Sequence, residues 1–125
     1  MEDRKIVLVV DDSSANLQLC RGLLSNDYDV RLAKSGKMAL DALARIRPDL
    51  ILLDIEMPDM SGFEVMTEIK KNRDLDGIPV IFVTSHASEK LVLKAREQGA
   101  VDYIVKPFVS DVLYKKIDKA FDAKK

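Results

Sequence analysis

Four short stretches of this chain are almost continuously apolar, and a fifth alternates between apolar and polar positions. The continuous ones are residues 6–10, 50–53, 80–83 and 101–105, the last broken by Asp102 and Tyr103; the alternating one is residues 28–33. Short runs rich in Val, Ile and Leu predict strands, and the continuous ones predict strands buried on both faces. Between them apolar residues recur at helical spacing. Ser13 or Ser14 starts a helix that reaches about Leu24, with Leu17, Cys20 and Leu24 on one face. A second helix over residues 35–45 has its buried stripe near Ala39, Leu43 and Ile46, and Pro48 separates it from a strand starting at Asp49. Phe63, Met66 and Ile69 mark a third helix. A fourth runs from about Ser88 to Gly99, a residue suited to ending it. The last starts at Ser110 or Asp111 and turns Val112, Leu113, Ile117, Ala120 and Phe121 inward. Residues 56–62 read as a loop because Pro58 and Gly62 punctuate them, and residues 72–79 read as a polar connection with a turn at Asp76-Gly77.

Strand and helix therefore alternate five times. That order predicts an α/β fold: an open, doubly wound parallel sheet with helices on both faces and right-handed crossovers. A closed barrel needs eight such units. The length of 125 residues is that of one domain with one core. A hydrophobic content of 47% beside 33% charged residues is a globular balance. The net charge of −1 supplies no basic field for a nucleic acid or an anionic membrane. Cys20 is the single cysteine, which excludes an internal disulfide and a CxxC site. Residues 1–5 are charged and precede only five apolar residues, too few for a signal peptide or a membrane span. The expectation is one cytoplasmic domain over residues 1–125, with neither nucleic acid nor membrane as a direct partner.

In a parallel sheet all strands end on one edge, and ligands bind there where the strand order reverses. The strand ends of this chain carry Asp11 and Asp12, Asp54, Thr84 and Lys106. Two carboxylates ~4 Å apart repel by roughly 4 kcal/mol at an effective dielectric near 20, so a fold that gathers three needs a compensating cation. Mg²⁺ suits the task, since it takes a few carboxylates together with water and phosphate oxygens. Lys106 adds a second positive charge, and the Thr84 hydroxyl can donate to a further oxygen. Asp54 stands alone on its strand end and is the best nucleophile, in the manner of enzymes that form an aspartyl-phosphate.

These residues carry a resemblance that spans essentially the whole chain. Val9-Val10-Asp11-Asp12-Ser13, Leu52-Leu53-Asp54-Ile55-Glu56-Met57-Pro58-Asp59-Met60-Ser61-Gly62, Val83-Thr84-Ser85 and Asp102-Tyr103-Ile104-Val105-Lys106-Pro107-Phe108 together resemble the receiver domain of two-component response regulators. The resemblance is to the single-domain, chemotaxis-regulator type. It implies the flavodoxin-like fold with strand order 2-1-3-4-5. It implies a phosphorelay module whose Asp54 accepts a phosphoryl group from a sensor histidine kinase or a small phosphodonor. Such a domain catalyses only its own phosphorylation and dephosphorylation. Asp12, Asp54 and the backbone carbonyl of Glu56 would bind Mg²⁺ directly, with Asp11 acting mostly through water. Lys106 would contact the phosphoryl group, and its bond to Pro107 would be cis. Thr84 and Tyr103 would form the switch, Thr84 turning to the phosphoryl group and Tyr103 moving from exposed to buried. Ser85, where many members carry Ala, narrows the approach to the site, and His86 at the pocket mouth tunes access with Glu56. A downstream protein, or a second copy of the chain, would read the change on the fourth helix, fifth strand and fifth helix, around Lys90, Lys94, Tyr103 and Tyr114.

Taken singly, each residue has a plainer reading. Asp54 alone is a solvated turn residue, Asp11 and Asp12 are helix-capping groups, Lys106 is a surface lysine and Tyr103 an edge aromatic. Cys20 reads as a core residue and Met57 with Met60 as loop packing. Lys115, Lys116, Lys119, Lys124 and Lys125 read as the solvated face of the last helix. Three other functions compete. A haloacid-dehalogenase-type hydrolase needs a second Asp two residues after the nucleophile, where Glu56 stands. Flavin binding needs a Ser/Thr/Gly loop where Asp11 and Asp12 would repel the phosphate. A receiver-like module that works without phosphorylation is at odds with the intact set of Asp11, Asp12, Asp54, Thr84 and Lys106. With no further domain after the last helix, the chain is expected to act through protein contacts or as one piece of a longer protein.

Overall fold

The computed structural model describes residues 4–123. In chain order its elements are β1 (Ile6–Val10), α1 (Ser14–Leu24), β2 (Asp29–Ala33), α2 (Gly36–Leu43), β3 (Leu50–Asp54), α3 (Gly62–Lys70), β4 (Val80–Thr84), α4 (Glu89–Glu97), β5 (Asp102–Val105) and α5 (Ser110–Ala123). The strands pair in parallel in the order β2-β1-β3-β4-β5. This is the expected flavodoxin-like sheet, with its reversal of strand order between β1 and β3.

The continuous apolar runs are continuous because both of their faces are covered. Leu8, Val10, Ile51, Leu53, Val80 and Phe82 turn one way and pack with Ala39, Leu43, Val65, Met66, Ile69 and Ala95, which places α2, α3 and α4 on that side. Val7, Val9, Leu50, Leu52, Ile81 and Val83 turn the other way and pack with Leu17, Cys20, Leu24, Leu113, Ile117 and Ala120 of α1 and α5. The two-residue period of the strand divides one hydrophobic run between two cores. The helices start where serines stand. Ser13, Ser35, Ser61 and Ser88 each accept a backbone N–H of the first turn, and Ser61 forms a reciprocal capping box with Glu64. Each such cap is worth ~1 kcal/mol.

Several details differ from the sequence reading. Helix α2 stops at Leu43, and Ile46 is half-buried in the connection that follows. The polar connection before β4 contains a 3-10 turn, Arg73–Leu75, whose Leu75 joins the core. Val112 points outward at 43% exposure, because the inward stripe of α5 is Leu113, Ile117 and Ala120 and Val112 lies on its flank. Lys116 is not on the solvated face of α5; it is half-buried against β5. Lys124 and Lys125 lie outside the described residues. Gly99, just beyond α4, has φ +91° and closes the helix as expected.

Candidate functional site

Asp11 follows directly on β1, and its N–H continues the ladder by donating to the Ala33 carbonyl at 3.1 Å. Asp54 is the last residue of β3, and Ile55 beyond it is held on both sides: its N–H donates to the Val83 carbonyl and its carbonyl accepts from Gly62, each at 2.9 Å. Gly62 is required for that closeness, since a Cβ there would run into the Asp54 carbonyl. Lys106 N–H donates to the Thr84 carbonyl at 2.8 Å, which aims the lysine stem back over the sheet edge. The peptide bond from Lys106 to Pro107 is cis, as the resemblance implies.

These anchors bring Asp11, Asp12 and Asp54 together with carboxylate oxygens within 4.8 Å of one another. Asp11 and Asp54 are each 1% exposed, whereas Asp12 faces solvent. The Lys106 ammonium lies 2.9 Å from Asp11 Oδ2 and 3.3 Å from Asp54 Oδ2. Asp11 Oδ1 accepts the Ser13 N–H at 2.9 Å. Two buried oxygens, Asp11 Oδ2 and Asp54 Oδ1, accept no hydrogen bond, although the first stands in the ion pair with Lys106. Burial and the neighbouring Asp11 charge push the Asp54 carboxyl up to about 7, against the pull of Lys106. Burial works against the Lys106 ammonium too, but Asp11 and Asp54 outweigh it and hold its pKa above the ordinary lysine value. Hard carboxylate oxygens with unused acceptor capacity, excess negative charge and one solvent-facing member suit Mg²⁺.

Thr84 is fully buried at the end of β4, and its hydroxyl is engaged. It donates to the Glu56 carboxylate at 2.9 Å (Oε2) and 3.1 Å (Oε1), and accepts the His86 N–H at 3.1 Å. The sequence reading placed Glu56 beside the pocket but missed this contact with Thr84. No periodicity signals a bond across 28 residues. Ser85 and His86 are exposed. Tyr103 is half-buried against the α2–α3–α4 core, with Lys116 Nζ 4.7 Å above its ring. Around it a groove of about 510 Å³ is lined by Val92, Leu93 and Arg96 of α4 and by residues 87–89.

Two residues assigned to the surface of the fourth and fifth helices make contacts on other elements, although Lys94 remains exposed on α4. Tyr114 faces α1: its hydroxyl donates to the Leu23 carbonyl at 2.8 Å and meets Asp27 Oδ2 at 2.7 Å, and its ring lies 6.2 Å from Tyr28. Lys94 bends toward α3, with its ammonium 4.5 Å from the Phe63 ring centroid. Lys90 is exposed as expected. Cys20 is wholly buried, and burial pushes its thiol up to about 12, so it is a core residue with no thiolate at neutral pH.

A doubly wound parallel sheet whose strand ends gather three aspartates, a buried threonine and a lysine defines a phosphoryl-transfer class of α/β domain. The chain belongs to the response regulator receiver domain family, whose model matches residues 7–118. It is 39% identical over 104 residues to the polar-differentiation response regulator DivK of Brucella ovis, covering 82% of this chain and 85% of DivK. It is 46% identical over 101 residues to a probable cyclic di-GMP phosphodiesterase of Vibrio cholerae, 81% of this chain but 23% of that protein. Its fold matches the chemotaxis protein CheY4 of Vibrio cholerae with TM-score 0.90 at 29% identity, covering 94% of this chain and 99% of that one. The chain is a phosphorelay signalling domain of a family that works through Mg²⁺-dependent aspartate phosphorylation. Among the described residues no helix is long and apolar enough to cross a membrane.

Proposed function

We propose that Asp54 is the phosphoacceptor of one receiver domain spanning residues 1–125, charged by a sensor histidine kinase and read by a protein partner in the cytoplasm. The observation that carries this reading is the buried Asp54 carboxylate, crowded by Asp11 and held by Lys106 at 3.3 Å. In the transfer an Asp54 oxygen attacks phosphorus as the bond to the donor nitrogen or oxygen breaks. The Lys106 ammonium neutralises charge on the transferred oxygens, and Thr84 supplies a hydrogen bond once its hydroxyl leaves Glu56. Asp11, Asp12, Asp54 and the Glu56 backbone carbonyl would hold Mg²⁺, which supplies Lewis-acid neutralisation of the phosphoryl oxygens. Ser85 and His86 border the approach and set how readily water reaches the aspartyl-phosphate.

The test is to mix the protein with a small phosphodonor and Mg²⁺ and weigh it intact. One phosphoryl mass is expected, absent without Mg²⁺ and absent from Asp54→Asn. Equal loading of Asp54→Asn defeats the assignment.

A further inference from the structure

β5 is the outer strand of the sheet, so one side of its backbone has no neighbouring strand. At Tyr103, side chains take the place of that strand. The Tyr103 N–H donates to Asp102 Oδ1 at 2.7 Å, and its carbonyl accepts from Lys116 Nζ at 2.6 Å. The two side chains are themselves paired, Lys116 Nζ lying 3.0 Å from Asp102 Oδ1. The same ammonium stands 4.7 Å from the centre of the Tyr103 ring. One lysine from α5 thus grips the backbone and the ring of a single residue on β5, and Asp102 fixes the lysine. The Lys116 side chain is only 27% exposed.

We propose that Lys116 and Asp102 are positioning residues for Tyr103, holding its ring in the resting orientation and so setting how readily the domain switches. The proposal rests on the reading of Tyr103 as the switch aromatic. The bonds to the Tyr103 backbone survive a rotation of its side chain. The contact between the ammonium and the ring face does not, and it is therefore the one that differs between the two orientations. Only such a differential contact biases a two-state equilibrium. A cation on a half-exposed aromatic ring biases it by about two- to fivefold. Lys116→Met keeps the stem and removes the charge. Lys116→Arg keeps a donor for the carbonyl, a partner for Asp102 and a cation for the ring.

The experiment uses 3-fluorotyrosine, with the signals of Tyr28, Tyr103 and Tyr114 assigned by Tyr→Phe replacement, and a titration with beryllofluoride in Mg²⁺ as phosphoryl mimic. In the wild type the Tyr103 signal is expected to move on saturation. In Lys116→Met its resting position shifts toward the saturated one, and the beryllofluoride midpoint falls about two- to fivefold. Asp102→Asn, which keeps an acceptor for the N–H but frees the lysine, moves the same way by less. Lys116→Arg restores the wild-type midpoint, a rescue that general loosening of α5 does not produce. If the wild-type signal moves but Lys116→Met keeps the wild-type midpoint, the clamp is wrong and the switch stands. If the wild-type signal does not move at saturation, the switch reading fails and the clamp with it. An arginine variant that behaves like the methionine variant also overturns the proposal.

Discussion

Replacing Asp54 by Asn tests the electrostatics of the site through stability alone. The carboxyl is raised from an ordinary 3.8 to about 7 by burial and by Asp11. The folded protein therefore holds this proton more tightly than the unfolded chain does. Unfolding releases it between those two values, so stability falls as pH rises from about 4 to about 7 and levels off above. A shift of about three units at ~1.4 kcal/mol each sets a ceiling near 4 kcal/mol on the cost of the ionised form. The Asn amide introduces a buried NH₂ that needs acceptors, and an imperfect set takes back about 1–2 kcal/mol. The metal-free Asp54→Asn protein should then be about 2 kcal/mol more stable than wild type at pH 8, roughly 6–10 °C in Tm. Near pH 4.5 the advantage should largely vanish, because the wild-type carboxyl is protonated there. Urea or thermal unfolding of both proteins in a chelator, over pH 4.5–8, measures this directly. Saturating Mg²⁺ should narrow the gap at pH 8 by stabilising the wild type. If Asp54→Asn is no more stable at pH 8, or its advantage does not change with pH, the Asp54 carboxylate is not under the stress deduced from its surroundings.

Two further predictions follow from contacts within the site. Glu56→Ala frees the Thr84 hydroxyl from its present acceptor and should tighten beryllofluoride binding by roughly two- to tenfold, the net worth of one ordinary hydrogen bond. The gain should disappear in a Thr84→Ala background, and an equal gain there would show that Glu56 acts without Thr84. Gly62→Ala presses a methyl group against the Asp54 carbonyl and should cost about 1–3 kcal/mol of stability, measured by urea unfolding; a loss below 0.5 kcal/mol would show that the β3–α3 junction yields.

Much of this was legible in the sequence for definite reasons. A strand buried on both faces has to be apolar throughout, so residues 80–83 announced a central position without any partner being known. Helix starts were legible because a serine hydroxyl answers backbone N–H groups two or three residues on, a local event. The site residues were legible because a parallel sheet puts consecutive strand ends on one edge, which converts separate motifs into a cluster. What stayed hidden depends on flanking positions and on contacts between elements. Helical periodicity gives the mean direction of α5 but does not separate Val112, one step off the stripe, from Leu113 on it. Nor does it tell that Tyr114 reaches 91 residues back to Leu23 while Lys116, two positions on, reaches the other way to β5. The loop before α3 hides another such feature, since Asp59 takes φ +70°, a left-handed conformation the sequence would sooner assign to glycine.

The two sides of α5 also explain where a change at Asp54 can travel. On the α1 side the seam is closed by the Tyr114 hydroxyl bonds and by the Tyr28 ring, which lies 6.2 Å from Tyr114 and 6.0 Å from Phe121. On the other side α4 buries Ala95 alone, whereas α1 buries Leu17, Cys20 and Leu24 and α3 buries Val65, Met66 and Ile69 besides Gly62. Burial of so little apolar surface makes α4 the helix with least to lose by moving. It starts five residues after Thr84, whose hydroxyl is shared between Glu56 and the His86 N–H, so any new partner for that hydroxyl disturbs the connection to α4 first. Exposed Leu93, Val105, Val109 and Val112 lie along this same side, on α4, β5 and the entry to α5. The weakly anchored helix, the half-buried Tyr103 and the exposed apolar residues thus coincide. On the proposed reading, a phosphoryl group on Asp54 that outbids Glu56 for this hydroxyl would begin to rearrange the face that α4 anchors through Ala95 alone and that Lys116 and Asp102 tie at Tyr103.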